Sequence, residues 1–384
     1  MEAKEWQKEA IEAWVTEGKR GTIKAPTGSG KSYLAIMAYH RIQNPTSETQ
    51  VRPNFRMCVI VPTLALKAQW EKDLDNQNIP AVVWVINTVR ENPKLLLAYP
   101  FIVLDEVHHY AAAQSKVIFN HMQYSYILGL SATPERRDME HEVFYEHAPI
   151  VYTYKMVDAI ANDDVADFEI EDIPVHLNTV TESRLRSVDD FIRLGMQRYQ
   201  NDLSKVTRTL AQPGWQGKKE AGALMRAIQQ RKGMLFDCIE KNDSAFHIAI
   251  GHRDERVIIF TEVISSAEKI YAKIVATGRL AILYHSKLKK KDKTQAIELF
   301  AKYPSAVLVS VKATDEGVNV PSASVGIIVS GTSVDRQFIQ RLGRILRPQP
   351  GKTALLYHLF VANSKDEKWA RQRVRDLKQQ MRNN

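Results

Sequence analysis

Short apolar runs bounded by polar turns recur along the first 135 residues, at Arg56 to Val61, Ala81 to Ile86, Phe101 to Leu104 and Tyr126 to Leu130. Each run predicts a buried strand, and Ser32 to Arg41 and Leu66 to Leu74, between them, have helical periodicity. Strands that alternate with helices in this way predict a parallel sheet covered on both faces. A second series of the same kind begins near Val257, with VIIF, AILY, AVLVS, VGIIVS and ALLYHL as strands and Ser265 to Ala276 and Thr294 to Ala301 as helices. From Asp158 to about Lys219 the pattern changes: acidic at first, then helical from Val188 to about Leu210, then a turn-rich QPGWQGKK. The expected organisation is an α/β domain over residues 1–155, a linker with a helical insertion over 156–225, and a second α/β domain over 226–384. No repeat with a period of about 20 to 50 residues is visible.

Composition narrows the class. With 44% hydrophobic and 25% charged residues the chain of 384 has the make-up of an ordinary folded protein, long enough for two or three domains. The longest apolar stretch, Leu95 to Leu104, is ten residues and contains Pro100. A membrane span needs about 20, so no such span is expected. The start, MEAKEWQKEA, lacks the apolar centre of a signal peptide. Two cysteines, Cys58 and Cys238, make neither a disulfide framework nor a four-ligand zinc site. A cytoplasmic location follows as the expectation. The excess of 53 Lys and Arg over 44 Asp and Glu, a net charge of +9, favours an anionic partner such as nucleic acid.

Candidate chemistry begins after the short strand candidate Thr22 to Lys24, with APTGSGKS at Ala25 to Ser32 and a helix at once behind it. This run departs from G-x-x-x-x-G-K-S/T only in its first position, alanine here. In such a loop the backbone N–H groups of Thr27, Gly28, Ser29 and Gly30 face phosphates, Lys31 reaches the β and γ phosphates, and the Ser32 hydroxyl holds Mg²⁺. Gly28 and Gly30 suit a backbone that must turn tightly with positive φ. Further on, the strand candidate FIVL ends in Asp105-Glu106-Val107-His108. Carboxylates at the carboxyl end of a strand in an open parallel sheet lie in the ligand crevice, here expected beside the first strand's phosphate loop. Asp105 can orient Mg²⁺ through water and Glu106 can polarise an attacking water, although two adjacent acids after a strand are, alone, more often a solvated turn. His108 and His109 have no second ligand at metal spacing, so neither reads as a metal ligand. The run KLKKKDK, Lys287 to Lys293, is a solvated helix start or a phosphate track.

Seven motifs in order, APTGSGKS, VPTLALKAQW, DEVHH, SATP, VIIFTE, ATDEGVNVP and QRLGRILRP, resemble those of a superfamily 2 DExH helicase. The last two resemble the XPB-type branch most closely. The resemblance covers nearly the whole chain except about Asp158 to Lys219. It implies two tandem RecA-like domains, ATP and Mg²⁺ in the cleft between them, and nucleic acid across the top of both. It implies Gln7 as the adenine reader, beside Trp6, although Lys4 and Glu5 stand where relatives often have arginine and proline. Gln340, Arg344 and Arg347 are implied to act across the cleft on the γ phosphate, with Gly317 also at the nucleotide and Arg336 and Arg341 at the surface. His108, Ser131 and Thr133 match the motifs that pass nucleotide state to the nucleic-acid face. Thr63, Gln69, Asn87, Thr88 and Thr314 lie where relatives touch the phosphate backbone.

Trp215, Lys218 and Lys219 lie outside those motifs. Pro213 and two glycines disfavour a helix there, so an aromatic on a loop tip with two cations behind it can stack on a base, or else fold back as an anchor. The resulting expectation is an ATP-dependent DNA helicase or translocase, monomeric, acting in repair, recombination or fork and branch processing. RNA is the weaker alternative, because DNA rests on the XPB-type resemblance. The chain starts 24 residues before the phosphate loop, so no amino-terminal damage-recognition domain is expected, and UvsW-like branch-migration enzymes or a phage-borne relative are the nearer comparison. The rival classes are a P-loop kinase or small-molecule NTPase, which needs no second domain ending in arginines, and a non-hydrolysing clamp, disfavoured by intact Lys31, Glu106 and Arg344.

Overall fold

The structure is a computed structural model that describes residues 3–26, 29–43, 55–110, 116–122, 126–132, 142–162, 167–212, 217–311, 320–331 and 353–383. In the amino-terminal part the strands are β1 (Arg20–Lys24), β2 (Met57–Val61), β3 (Ala81–Val85), β4 (Phe101–Asp105), β5 (Tyr126–Ser131) and β6 (Ile150–Thr153). They form one six-stranded sheet in the order β3-β2-β4-β5-β1-β6, parallel throughout. The helices are α1 (Glu5–Thr16), α2 (Lys31–Gln43), α3 (Leu64–Asp75), α4 (Ile86–Glu91), α5 (Lys116–Phe119), α6 (Glu142–Tyr145) and α7 (Met156–Ala161). Both faces of the sheet are buried, as the unbroken apolar runs demand. Met57, Val59 and Val61 face a cluster with Trp14, Leu34, Ala38 and Trp70, while Cys58 and Ile60 face Val107, Tyr110 and Phe144.

The second sheet is also six-stranded and parallel, built from β7 (Asp167–Val175), β8 (Val257–Thr261), β9 (Ala281–Tyr284), β10 (Val307–Val311), β11 (Val325–Ile328) and β12 (Thr353–Val361). Its order is β7-β12-β11-β8-β10-β9. Each of the five runs predicted here forms one of these strands. The sixth, β7, comes from the stretch read as linker and pairs with β12 along its whole length, Asp167 opposite Thr353 and Val175 opposite Val361. Its sequence, DFEIEDIPV, alternates acidic and apolar residues and has Pro174, a pattern suited to a sheet edge, where one side of the backbone needs no partner strand.

Four helices follow β7: α8 (Thr179–Arg198), α9 (Leu203–Ala211), α10 (Lys218–Phe236) and α11 (Ile239–Gly251). The single helical stretch expected from Val188 to about Leu210 is therefore two helices. The Asn178 side chain starts α8 by accepting from Thr181 N–H at 2.9 Å, and Asp202 starts α9 by accepting from Ser204 N–H at 2.8 Å. Between them Gln200 and Asn201 take positive φ, 54° and 58°, which ends the first helix. Ile192, Val206, Ala221 and Leu224 close a small core among α8, α9 and α10. The remaining helices, α12 (Ile264–Ala276), α13 (Lys290–Lys302) and α14 (Lys365–Asn383), flank the second sheet's strands in sequence. Lys241 and Asp366 form a fully buried ion pair at 2.8 Å that joins α11 to α14. Among the described residues no helix is long and apolar enough to cross a membrane.

Candidate active site

The carboxyl ends of β1, β5 and β4 lie side by side. Lys24 is opposite Ser131, and Leu130 is opposite Asp105, so the segments that leave these strands emerge at one edge of the sheet. The sequence placed the β4 carboxylates beside the first strand's loop. The sheet puts β5 between the two, and Ser131 at its end makes the connection.

The part of the phosphate loop after Pro26 is built from short tethers. Ser29 is buried and its hydroxyl donates to the Pro26 carbonyl at 2.8 Å. Gly30 has φ +99°, as the tight turn requires, and a Cβ there would meet the Gln7 amide nitrogen at 3.0 Å. Gln7 itself is buried on α1, donates to the Gly30 carbonyl at 3.2 Å and accepts from Lys4 N–H at 3.0 Å. Trp6 beside it stacks on Tyr154, the ring centroids 4.3 Å apart and the planes 7° from parallel. Lys31 opens α2 and donates to the carbonyls of Ala25 and Pro26 at 3.1 and 3.2 Å. Burial lowers its pKa against the opposing attraction of Glu106 and Asp105. Ser32 follows in the first turn, half-buried. Thr27 and Gly28 lie outside the described residues.

Asp105 ends β4 and is buried. Burial first, then the neighbouring Glu106 charge, pushes its pKa up to about 6, while Trp70, Lys31 and the Glu106 N–H oppose the rise. One oxygen, Oδ2, accepts the Trp70 indole N–H at 2.8 Å, and Oδ1 accepts the Glu106 backbone N–H at 3.1 Å. Glu106 sits at φ 52°, in the left-handed region that a residue with a side chain enters only at a cost of about 1 kcal/mol or more. The turn is held closed by His109 N–H donating to the Glu106 carbonyl at 3.0 Å and by the buried Tyr110 hydroxyl donating to the Ile60 carbonyl at 2.6 Å. The Glu106 carboxylate accepts from the Ser131 hydroxyl at 3.3 Å. Lys31, Asp105, Glu106 and Ser131 thus form one cluster.

Among the other predicted residues, Thr63 caps α3, its hydroxyl accepting from Leu66 N–H at 3.3 Å, with Gln69 half-buried two turns on. Asn87, exposed, and Thr88, half-buried, lie on α4, where Asn87 accepts from Arg90 at 3.4 Å. Lys218 and Lys219 are the exposed first residues of α10, and Lys219 borders a groove of about 480 Å³ with Phe191, Leu194 and Tyr199. Thr133, Trp215, Thr314, Gly317, Gln340, Arg344 and Arg347 lie outside the described residues, as does the side chain of His108. Two contributors were missed in the sequence: Trp70, although it stood inside a quoted motif, and Tyr110. Their role depends on which carbonyl or carboxylate the fold brings to them, and spacing carries no such signal.

The donor set fits a magnesium nucleotide. A half-buried ammonium beside two carboxylates, at the start of a 13-residue helix with a positive-φ glycine before it, can neutralise phosphate oxygens. Among the described residues no group of three or more His, Cys, Asp or Glu converges on a metal site. Magnesium held by one or two carboxylates and by phosphates needs no such cage.

Two parallel six-stranded sheets flanked by helices, with this loop and acidic pair at the carboxyl edge of the first, define a tandem RecA-like α/β protein. The type III restriction enzyme, res subunit family matches residues 1–85 and 76–136, and the helicase conserved C-terminal domain matches residues 240–349. The DNA 3'-5' translocase XPB2 of Sulfurisphaera tokodaii is 27% identical over 97% of this chain and 84% of its own. Putative helicase 22 of Sulfolobus islandicus filamentous virus is 22% identical over 92% of this chain and 63% of its own. The Pyrococcus furiosus Hef helicase domain has the same fold, with a TM-score of 0.61 at 16% identity over 95% of this chain and 98% of that one. By the two helicase-type domain matches and the XPB2 similarity together, the chain is similar to superfamily 2 helicases of the XPB-like kind. It is an enzyme, a nucleic-acid-dependent ATPase.

Proposed function

We propose that this enzyme is an ATP-driven DNA translocase or helicase that uses Mg²⁺ and hydrolyses ATP between its two RecA-like domains. The observation that carries the reading is the cluster in which Glu106, turned into a left-handed backbone conformation, accepts from Ser131 while Lys31 and Asp105 stand beside it. Bound Mg·ATP supplies the γ-phosphoryl group that water attacks. Lys31 holds phosphate oxygens, Ser32 and Asp105 orient the metal, and Glu106 takes the proton of the attacking water on its carboxylate. Ser131 keeps Glu106 aimed and couples its position to SATP, the run that Ser131 opens. Gln7 reads the base and steadies Gly30. Gln340, Arg344 and Arg347 reach in from the second domain, with Gly317 also at the nucleotide, so charge on the transferring group is stabilised only when the two domains close.

DNA is favoured by the Sulfurisphaera translocase, whose named direction, 3' to 5', is the direction expected here. Thr63, Gln69, Asn87, Thr88 and Thr314 hold the backbone of the strand without reading its sequence. The insertion adds cations. Between residues 179 and 236, eleven Lys and Arg face five Asp and Glu, a net +6 within a chain of net +9. RNA is the second reading, supported by a putative ATP-dependent RNA helicase of Methanocaldococcus jannaschii that is 32% identical over 39% of this chain and 19% of its own. ATPase rates with single-stranded, duplex, forked and four-way DNA and with RNA decide between them. Stimulation by RNA alone overturns the DNA reading, and a rate indifferent to every nucleic acid overturns the motor.

A further inference from the structure

We propose that Trp70 is a positioning residue for ATP hydrolysis, fixing the Asp105 carboxylate and tying it to the helix that begins at Thr63. The inference rests on the reading of Asp105 as the magnesium-orienting carboxylate. Trp70 is 2% exposed and its indole N–H meets Asp105 Oδ2 at 2.8 Å, a charge-assisted bond inside the core. The other oxygen is held from the protein side by Glu106 N–H at 3.1 Å. With one donor on each oxygen the carboxylate cannot rotate, yet each oxygen keeps lone pairs for water or metal.

The pairing is not a general consequence of burying an indole in this fold. Among the described residues the indole nitrogens of Trp6 and Trp84 are buried with no partner and that of Trp14 donates to the Ile127 carbonyl at 2.8 Å, whereas that of Trp70 is spent on the acid of the DEVHH motif. Trp70 lies seven residues beyond the capping Thr63, two turns along a single helix. A displacement of the helix start, where the backbone of a bound strand is expected, therefore reaches Asp105 through one rigid element and one hydrogen bond.

Three variants test this. Trp70→Phe keeps most of the packing and removes the donor. The readout is binding of a fluorescent ADP analogue as a function of Mg²⁺ concentration, with melting temperature as the fold control. In Trp70→Phe the half-saturating Mg²⁺ concentration is expected to rise about tenfold, while binding in EDTA is unchanged. In the Asp105→Asn background the same substitution is expected to add nothing, because Trp70 acts through Asp105. If Asp105→Asn alone leaves the Mg²⁺ dependence unchanged, the reading of Asp105 fails. If Asp105→Asn raises it and Trp70→Phe does not, the role of Trp70 is overturned. A measurement on the unmutated chain covers the case in which Trp70→Phe does not fold. With ¹⁵N in the six indoles, one resonance should move when Mg²⁺ joins the ADP complex, and the same one should move in Asp105→Asn. Six unmoved indole signals also overturn the proposal.

Discussion

At the scale of single residues the site sets two carboxylates against one ammonium, and the three have separable roles. Lys31→Ala is expected to weaken nucleotide binding. Glu106→Gln is expected to leave binding intact and slow turnover by about three orders of magnitude, because amide oxygen is a poor proton acceptor. Equilibrium binding of labelled ADP and single-turnover hydrolysis separate the two, and wild-type turnover in Glu106→Gln removes it from the mechanism. Asp105 gives a pH-dependent signature in the metal-free protein. Its folded pKa, about 6, stands above the 3.8 of a free aspartate. The neutral acid is therefore favoured by folding: its contribution to stability is complete below pH 3.8 and is lost as pH rises through about 6. Urea midpoints of wild type in EDTA should fall relative to Asp105→Asn across that window and hold a constant offset above it. A constant offset at every pH contradicts the burial argument.

At the scale of elements, α3 and the insertion carry the two surfaces that nucleic acid is proposed to use. Thr63 caps α3, its hydroxyl accepting from Leu66 N–H at 3.3 Å, and stands where the phosphate contact is proposed. In the insertion, α8, α9 and α10 are stapled by Ile192, Val206 and Leu224 and present cations on every helix. Trp215 precedes α10 and its exposed Lys218 and Lys219. If this aromatic stacks on a base, Trp215→Ala keeps the melting temperature and DNA-stimulated ATPase but loses unwinding or branch migration, the stack being worth roughly 1 to 3 kcal/mol. A lowered melting temperature, or equal loss of both activities, identifies Trp215 as an anchor instead.

At the scale of the molecule, hydrolysis is proposed to need both domains, because Lys31, Asp105 and Glu106 sit on the first while Arg344 and Arg347 belong to the second. Arg344→Ala in the full chain should bind nucleotide and lose hydrolysis. A fragment of residues 1–162 should bind nucleotide weakly and hydrolyse nothing. The structure sets where that fragment can end: β6, Ile150–Thr153, is the edge strand beside β1, so a cut at Pro149 removes part of the sheet. Full-rate hydrolysis by the fragment places the whole site in the first domain.

The sequence by itself determined that there are two parallel-sheet units, because runs such as MCVIV and VIIFT are apolar on both faces and only a doubly covered sheet buries both. It also marked out APTGSGKS and the acidic pair as the candidate site, because the chemistry proposed for them depends on residue type and local spacing. Strand order was decided by tertiary structure alone, and with it the placement of β5 between β1 and β4 that brings Ser131 to Glu106. The same holds for β7, read as linker because its acidic alternation looks like a solvated segment until β12 offers it an edge. Trp70 is the clearest case. An indole in a helix reads as core from any sequence, and it became a partner of Asp105 only because folding put the donor, 35 residues away along the chain, within 2.8 Å of a buried charge.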